Sequence, residues 1–143
     1  HVNLTSEAAK REFLIAPVLS VVADVVPATI RVEYSLPVTE YLTGQLDYYL
    51  EAEHQLLIVE AKNANLEKGF TQLAVELIAL DHWLTEDHSM ELLYGAVSMG
   101  MIWQFAVLER TTQRIIQDVN FFSIPKETEE LVRVLVAILE DGK

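Results

Sequence analysis

The sequence predicts an α/β fold, with one central mixed β-sheet flanked by helices. Three observations predict it. Apolar spacing switches several times between the helical period and strand alternation. The switches follow the order α-β-β-β-α-β-β-β-α, which suits helices packed on a single sheet. The 143 residues are 51% hydrophobic, enough for one packed core, so residues 1–143 are expected to form a single domain.

Each element has its own signal. Ser6 followed by Glu7 reads as a helix start, and Phe13, Leu14, Val18, Leu19 and Val22 carry the helix on. Pro17 is expected to kink that helix and Pro27 to end it. Residues 30–38 read as a strand with Val32, Tyr34 and Leu36 on one face and Arg31, Glu33 and Ser35 on the other. A loop holding Gly44 follows. Residues 46–51 and 55–62 read as a hairpin joined by Ala52-Glu53-His54. Asn63 to Asn65 offers a turn with capping potential, and Leu66, Phe70, Leu73 and Leu77 open a helix that reaches His82 or Trp83. Residues 85–89 form a polar loop. Residues 92–97 and 102–108 are strand-like around Gly100, a second hairpin. Residues 114–122 alternate weakly, and Pro125 precedes a last helix carrying Leu131, Leu135 and Leu139.

Composition narrows the function. There are no cysteines, which excludes disulfides and thiolate metal sites and suits a reducing, cytoplasmic setting. The longest apolar stretch, residues 13–28, contains Asp24 and two prolines, is too short to span a bilayer and lacks a basic leader, so no membrane association is expected. The net charge of -12 argues against strong non-specific binding of nucleic acid, which rests on Lys and Arg. Between Arg31 and Arg110 the bases are Lys62 and Lys68 alone. Lys62 closes an apolar run in acidic surroundings and needs carboxylate partners.

Those partners are at hand. Ile58, Glu60 and Lys62 share one face of their strand. Asp47 lies on the preceding strand, and a register that sets it against the Glu60 end would let both acids share a metal. A hard ion such as Mg²⁺ takes oxygen ligands and keeps several waters; two carboxylates and a backbone carbonyl, such as that of Ala61, suit it. Lys62 would then orient the attacking water or stabilise developing negative charge. On spacing alone, an exposed hairpin with one salt bridge explains the same residues about as well.

The segments Leu46-Asp47-Tyr48 and Val59-Glu60-Ala61-Lys62 resemble the ligand and lysine motifs of the PD-(D/E)XK, or restriction-endonuclease-like, nuclease superfamily. The chain looks most like the N-terminal nuclease domain of type I restriction enzyme R subunits and small stand-alone relatives. Ser6-Glu7-Ala8-Ala9-Lys10-Arg11, with Ile15-Ala16-Pro17-Val18-Leu19, is similar to the opening helix of that group. Gly69-Phe70-Thr71-Gln72-Leu73 is similar to its helix whose glutamine faces the active site. Tyr94 to Phe105 looks like its glycine-bearing hairpin followed by Trp-x-Phe. Leu46 stands where the name-giving proline would be, and Ser98-Met99 replaces the Thr-Asp or Thr-Asn often seen before the hairpin glycine. The 143 residues contain no helicase motor, so the likeness is to the nuclease portion alone.

The resemblance implies a Mg²⁺- or Mn²⁺-dependent nuclease acting on DNA ahead of RNA. Asp47 and Glu60 would bind metal with Glu7, and Lys62 and Gln72 would complete the catalytic set. Glu7 has an alternative as a capping acid, and Glu76, one turn after Gln72, reads as part of a solvated face. His82 and His88 fit no common metal spacing. Trp83, Trp103 and Phe105 read as core or interface packing. Of Tyr48 and Tyr49, one is expected in the core and one near the site. A chain this acidic would need a protein partner for DNA affinity, and a homodimer would supply two sites for two strands. The competing function is a catalytically inactive nuclease-fold interaction or assembly module.

Overall fold

The computed structural model describes residues 9, 11–37, 43–62, 65–84 and 90–140. Six strands, β1 (Thr29–Pro37), β2 (Thr43–Glu51), β3 (Leu56–Ala61), β4 (Leu92–Ser98), β5 (Ile102–Glu109) and β6 (Arg114–Ser123), form one sheet in chain order. Three α-helices flank it: α1 (Ala16–Val25), α2 (Leu66–Trp83) and α3 (Thr128–Glu140). All neighbouring strands are antiparallel except β3 and β4. A parallel pair needs a long crossover, and α2 is that crossover. This α/β order is the one expected, and it is compatible with a restriction-endonuclease-like fold.

Helices cover both faces. Leu19 and Val22 of α1 and Leu131 and Leu135 of α3 pack with Tyr48, Leu50, Leu57, Val59 and Trp103. On the opposite face Leu73, Leu77 and Leu80 of α2 pack with Tyr49, Ile58, Leu93 and Val97. β3 lies between these layers and is buried along its whole length. That explains why Leu56 to Val59 reads as a continuous apolar run rather than alternating. Tyr48 and Tyr49 both belong to the core, one on each face.

Two local expectations are corrected, at Gly44 and in β1, and the first helix gains detail. Pro17 falls where the helix changes type. A π-helical turn, Arg11–Ile15, leads into α1, and the proline sits in the first α-helical turn, where its missing N–H is not needed. Ser6 and Glu7 lie outside the described residues. Gly44 is not in a loop; it pairs with Leu36 inside the β1–β2 ladder. The clean alternation of β1 fails at Glu33, whose φ of 51° is left-handed. Arg31 is the cross-strand partner of Tyr49, and Tyr34 stacks on that same Tyr49 ring at 5.3 Å, so Arg31 and Tyr34 share a face. Val32 is exposed while Leu36 is buried. No helix among the described residues is long and apolar enough to cross a membrane.

Candidate active site

The site forms where β2 and β3 part. Their ladder runs from Glu51↔Leu56 to Tyr48↔Val59, a register that sets Asp47 opposite Glu60. At that step the backbone pairing stops, because Asp47 Oδ2 accepts the Ala61 N–H at 2.8 Å. The β1–β2 pairing skips the same place, at Glu33 and Asp47. β3 meanwhile stays paired to β4 through Ala61↔Ser98, and Lys62 N–H donates to the Ser98 carbonyl at 2.9 Å. Asp47 thus stands at a break in both its ladders, while the Glu60-Ala61-Lys62 backbone is held from the other side.

Helix α2 supplies the facing wall. Asn65 caps it, with Oδ1 accepting the Lys68 N–H at 3.1 Å, so the helix begins just after Lys62. Gly69 lets it approach closely. A Cβ there would lie 2.7 Å from Val97 Cγ1 and 3.1 Å from Lys62 Cγ. That approach brings Gln72 and, one turn further, Glu76 over the end of β3. Lys62 Nζ donates to Gln72 Oε1 at 2.5 Å and lies 3.4 Å from Glu60 Oε1. Gln72 is exposed, Lys62 half-buried, and Glu60 and Glu76 are 1% and 3% exposed. The site therefore grades from a wet rim to a dry floor.

Its electrostatics are those of crowded acids. Burial is the first reason the Glu60 carboxyl is pushed well above the ordinary carboxylate range, and hydrogen bonding and repulsion from Glu76 and then Asp47 add to it. Glu76 is raised too, first by burial. The Lys62 ammonium opposes the shift at Glu76, but one cation at a half-wet rim does not offset its burial. Among the described residues, Glu60 Oε2 and Glu76 Oε1 are buried and meet no hydrogen-bond partner. Buried acceptors left this way call for a proton or a cation between them.

Those orphaned oxygens fit a hard divalent ion, which would bring the missing positive charge. Among the described residues, however, no group of three or more His, Asp or Glu stands ready-made around an ion position. Mg²⁺ does not require such a cage; one or two carboxylates with retained waters suffice.

Of the residues expected from sequence, Asp47, Glu60, Lys62 and Gln72 come together. Glu7 lies outside the described residues. The solvated reading of Glu76 is overturned: it is buried on the stripe of α2 that packs on the sheet, and its carboxyl is electrostatically linked to that of Glu60. Its position between Leu73 and Leu77 on the apolar stripe could have given it away. Ser98 turns inward and accepts the Gly100 N–H at 3.0 Å, shaping the hairpin. Trp103 is fully buried; Trp83 is partly exposed and packs edge-on against Tyr34 and Tyr49. His82 is exposed on α2, and His88 lies outside the described residues. A hollow of about 520 Å³ beside α2, lined by Phe70, Ala74, Gln104, Ile115 and Phe121 among others, holds none of the site carboxylates.

No family model matches the chain, and no curated protein does. Among solved structures the chain is similar to one described as "the fragment structure of a putative HsdR subunit of a type I restriction enzyme from Vibrio vulnificus YJ016". The identity is 17% and the TM-score 0.46, and the match covers 91% of this chain. The chain spans about a quarter of that one, 26%.

Proposed function

We propose that this chain is a restriction-endonuclease-like, metal-dependent phosphodiester hydrolase, acting on DNA in preference to RNA. One observation carries the reading: Asp47 is set opposite Glu60 at a parted ladder, with the Lys62 ammonium 3.4 Å from Glu60. Asp47 and Glu60 would hold Mg²⁺ or Mn²⁺. When bound, such an ion supplies an acidified water and neutralises charge on the phosphate.

The chain's own residues do the rest. Asp47 is held in place by the Ala61 N–H, which fixes the position of one carboxylate oxygen beside the end of β3. Gln72 fixes Lys62 through its amide oxygen. From there the ammonium can donate to the attacking water or to a phosphate oxygen as negative charge grows. The water oxygen forms the new P–O bond as the P–O bond to the sugar breaks; the proton lost by water passes to solvent at the exposed rim, and the leaving sugar oxygen takes a proton from solvent to become a hydroxyl.

Incubating the protein with plasmid DNA and Mg²⁺ or Mn²⁺ tests the reading. Cleavage is expected for the wild type and lost in Lys62→Ala and Glu60→Gln. Cleavage that survives Lys62→Ala refutes the assignment. The second reading, an inactive nuclease-fold interaction module, is favoured by the net charge of -12. It predicts neither cleavage nor Mn²⁺ uptake sensitive to Asp47. On the nuclease reading the same charge calls for a protein partner, or a second copy of the chain, to hold DNA.

A further inference from the structure

The sheet ends in two unlike edges. β1 is guarded: Arg31 and the left-handed Glu33 interrupt it, and Pro37 closes it without an N–H to offer. β6 has no such guard. It runs from Arg114 to Ser123 with neither lysine nor proline, and residues 114–121 are all exposed. Ile115 and Ile116 point to opposite faces. Ile115 borders the hollow beside α2, with Gln117 and Phe121. Ile116 borders a second hollow of about 520 Å³ beside α3, with Phe122, Val134 and Ile138. Apolar surface therefore lies on both sides of the edge. Among the described residues no strand pairs with its outer side. An exposed apolar edge of this kind is a template for another strand.

The charges on β6 select the strand that fits. In a two-fold antiparallel pair one residue faces its own copy, and its neighbours face each other crosswise. With the axis at Ile116, Arg114 of each copy faces Asp118 of the other, and Ile115 faces Gln117. The two charges of the strand are thus matched twice. An axis at Ile115 sets Ile116 against Arg114, and an axis at Gln117 sets it against Asp118. An in-register parallel pair puts like charges side by side. Both charged groups can take the new partner. The Arg114 side chain is 70% exposed and lies a loose 3.8 Å from Glu109. Asp118 Oδ1 accepts the Asn120 N–H, and a carboxylate has room for further donors. Beyond Gln117 the β5–β6 register shifts, and Gln104 Nε2 holds the Asp118 carbonyl at 2.6 Å. That irregularity bends the edge and confines pairing to residues 114–118.

We propose that β6 is a self-association edge, on which two copies of this chain join their six-stranded sheets antiparallel about an axis at Ile116. Neither the axis nor the charge match depends on metal binding.

Sedimentation equilibrium from about 1 µM to about 1 mM tests this, in salt that screens the -12 on each copy. The wild type should reach the dimer mass. Arg114→Asp sets like charges face to face twice and should raise the dimer Kd roughly tenfold or more. Arg114→Asp/Asp118→Arg restores the match and should bring the Kd back to the wild-type value, with circular dichroism confirming the fold. A wild type that stays monomeric overturns the proposal and leaves the edge to a strand of another protein. A dimer unmoved by Arg114→Asp, or a folded double variant that fails to recover, overturns it as well.

Ile116→Cys gives an independent readout. The chain has no cysteine, and opposed Cα atoms in an antiparallel pair lie about 4.5–5.5 Å apart, within disulfide reach. The oxidant diamide should link two Ile116→Cys copies. Val119→Cys, 83% exposed but off the axis, should stay unlinked. Random collision would link the more exposed thiol at least as fast, so equal or faster crosslinking at Val119→Cys overturns the proposal.

Discussion

Raising pH should destabilise the metal-free protein through the Glu60–Glu76 pair. Both carboxyls are raised above their ordinary value, burial being the largest cause for each. A group whose folded pKa is raised contributes stability that is complete below its unfolded pKa. That stability is lost as pH climbs through the folded value. Unfolded carboxyls release their protons near pH 4.3, so above about pH 5 the folded chain holds more protons than the unfolded one. Each extra proton lowers unfolding free energy by about 1.4 kcal/mol per pH unit. If the pair keeps at least one proton, the loss between about pH 5.5 and about pH 7.5 is about 3 kcal/mol. For a chain of this size that corresponds to roughly 10 °C in Tm. Urea denaturation in metal-free buffer, repeated across that range, measures it. The double variant Glu60→Gln/Glu76→Gln removes both groups and subtracts every other titration. Its stability should exceed that of the wild type increasingly as pH rises, and saturating Mn²⁺ should flatten the wild-type slope. Parallel wild-type and double-variant curves would show that the two acids are not a proton-sharing buried pair.

Other perturbations separate scaffold from chemistry. Asp47→Ala strips the buried Ala61 N–H of its acceptor and should cost about 1–3 kcal/mol relative to Asp47→Asn, which keeps an oxygen there. In urea titrations the two variants should therefore differ, while both lose Mn²⁺ affinity. Gly69→Ala gains about 1 kcal/mol of helix propensity but forces a methyl against Val97 and the Lys62 stem. Overpacking of about 1–3 kcal/mol should win, leaving a destabilised protein whose cleavage rate falls further than its stability explains. Arg110→Met removes the 2.7 Å ion pair to Asp81 and the donors to the Leu84 and Met90 carbonyls. A loss of about 2–4 kcal/mol is expected in thermal or urea melts, with Mn²⁺ affinity unchanged.

Much of this was legible in the chain because it is encoded locally. The 3.6 period of Leu66, Leu73, Leu77 and Leu80 marks α2, and the alternation of Ile58, Glu60 and Lys62 puts them on one face; neither needs a partner element to be read. The register in which Asp47 meets Glu60 was permitted by sequence parity but not chosen by it. The structure chooses it through the short connection at 52–55 and the Asp47–Ala61 hydrogen bond. Glu33 escaped because a positive φ at a non-glycine residue leaves no compositional trace. The π-helical turn before Pro17 left no mark in the spacing, because its wider hydrogen-bonding depends on the backbone path rather than on composition.

Glu76 marks the boundary most clearly. The chain alone determined the α/β class, the strand that carries Glu60 and Lys62, and the helix that carries Gln72, because periodicity is a property of neighbours in sequence. Whether an acid on that helix is solvated or buried depends on how closely the helix approaches the sheet. Gly69, Val97 and the Lys62 stem decide that approach across three separate elements. Only the tertiary structure could turn Glu76 toward Glu60. Burial is set by what packs against a residue, and for Glu76 that neighbour is 16 positions away in the sequence.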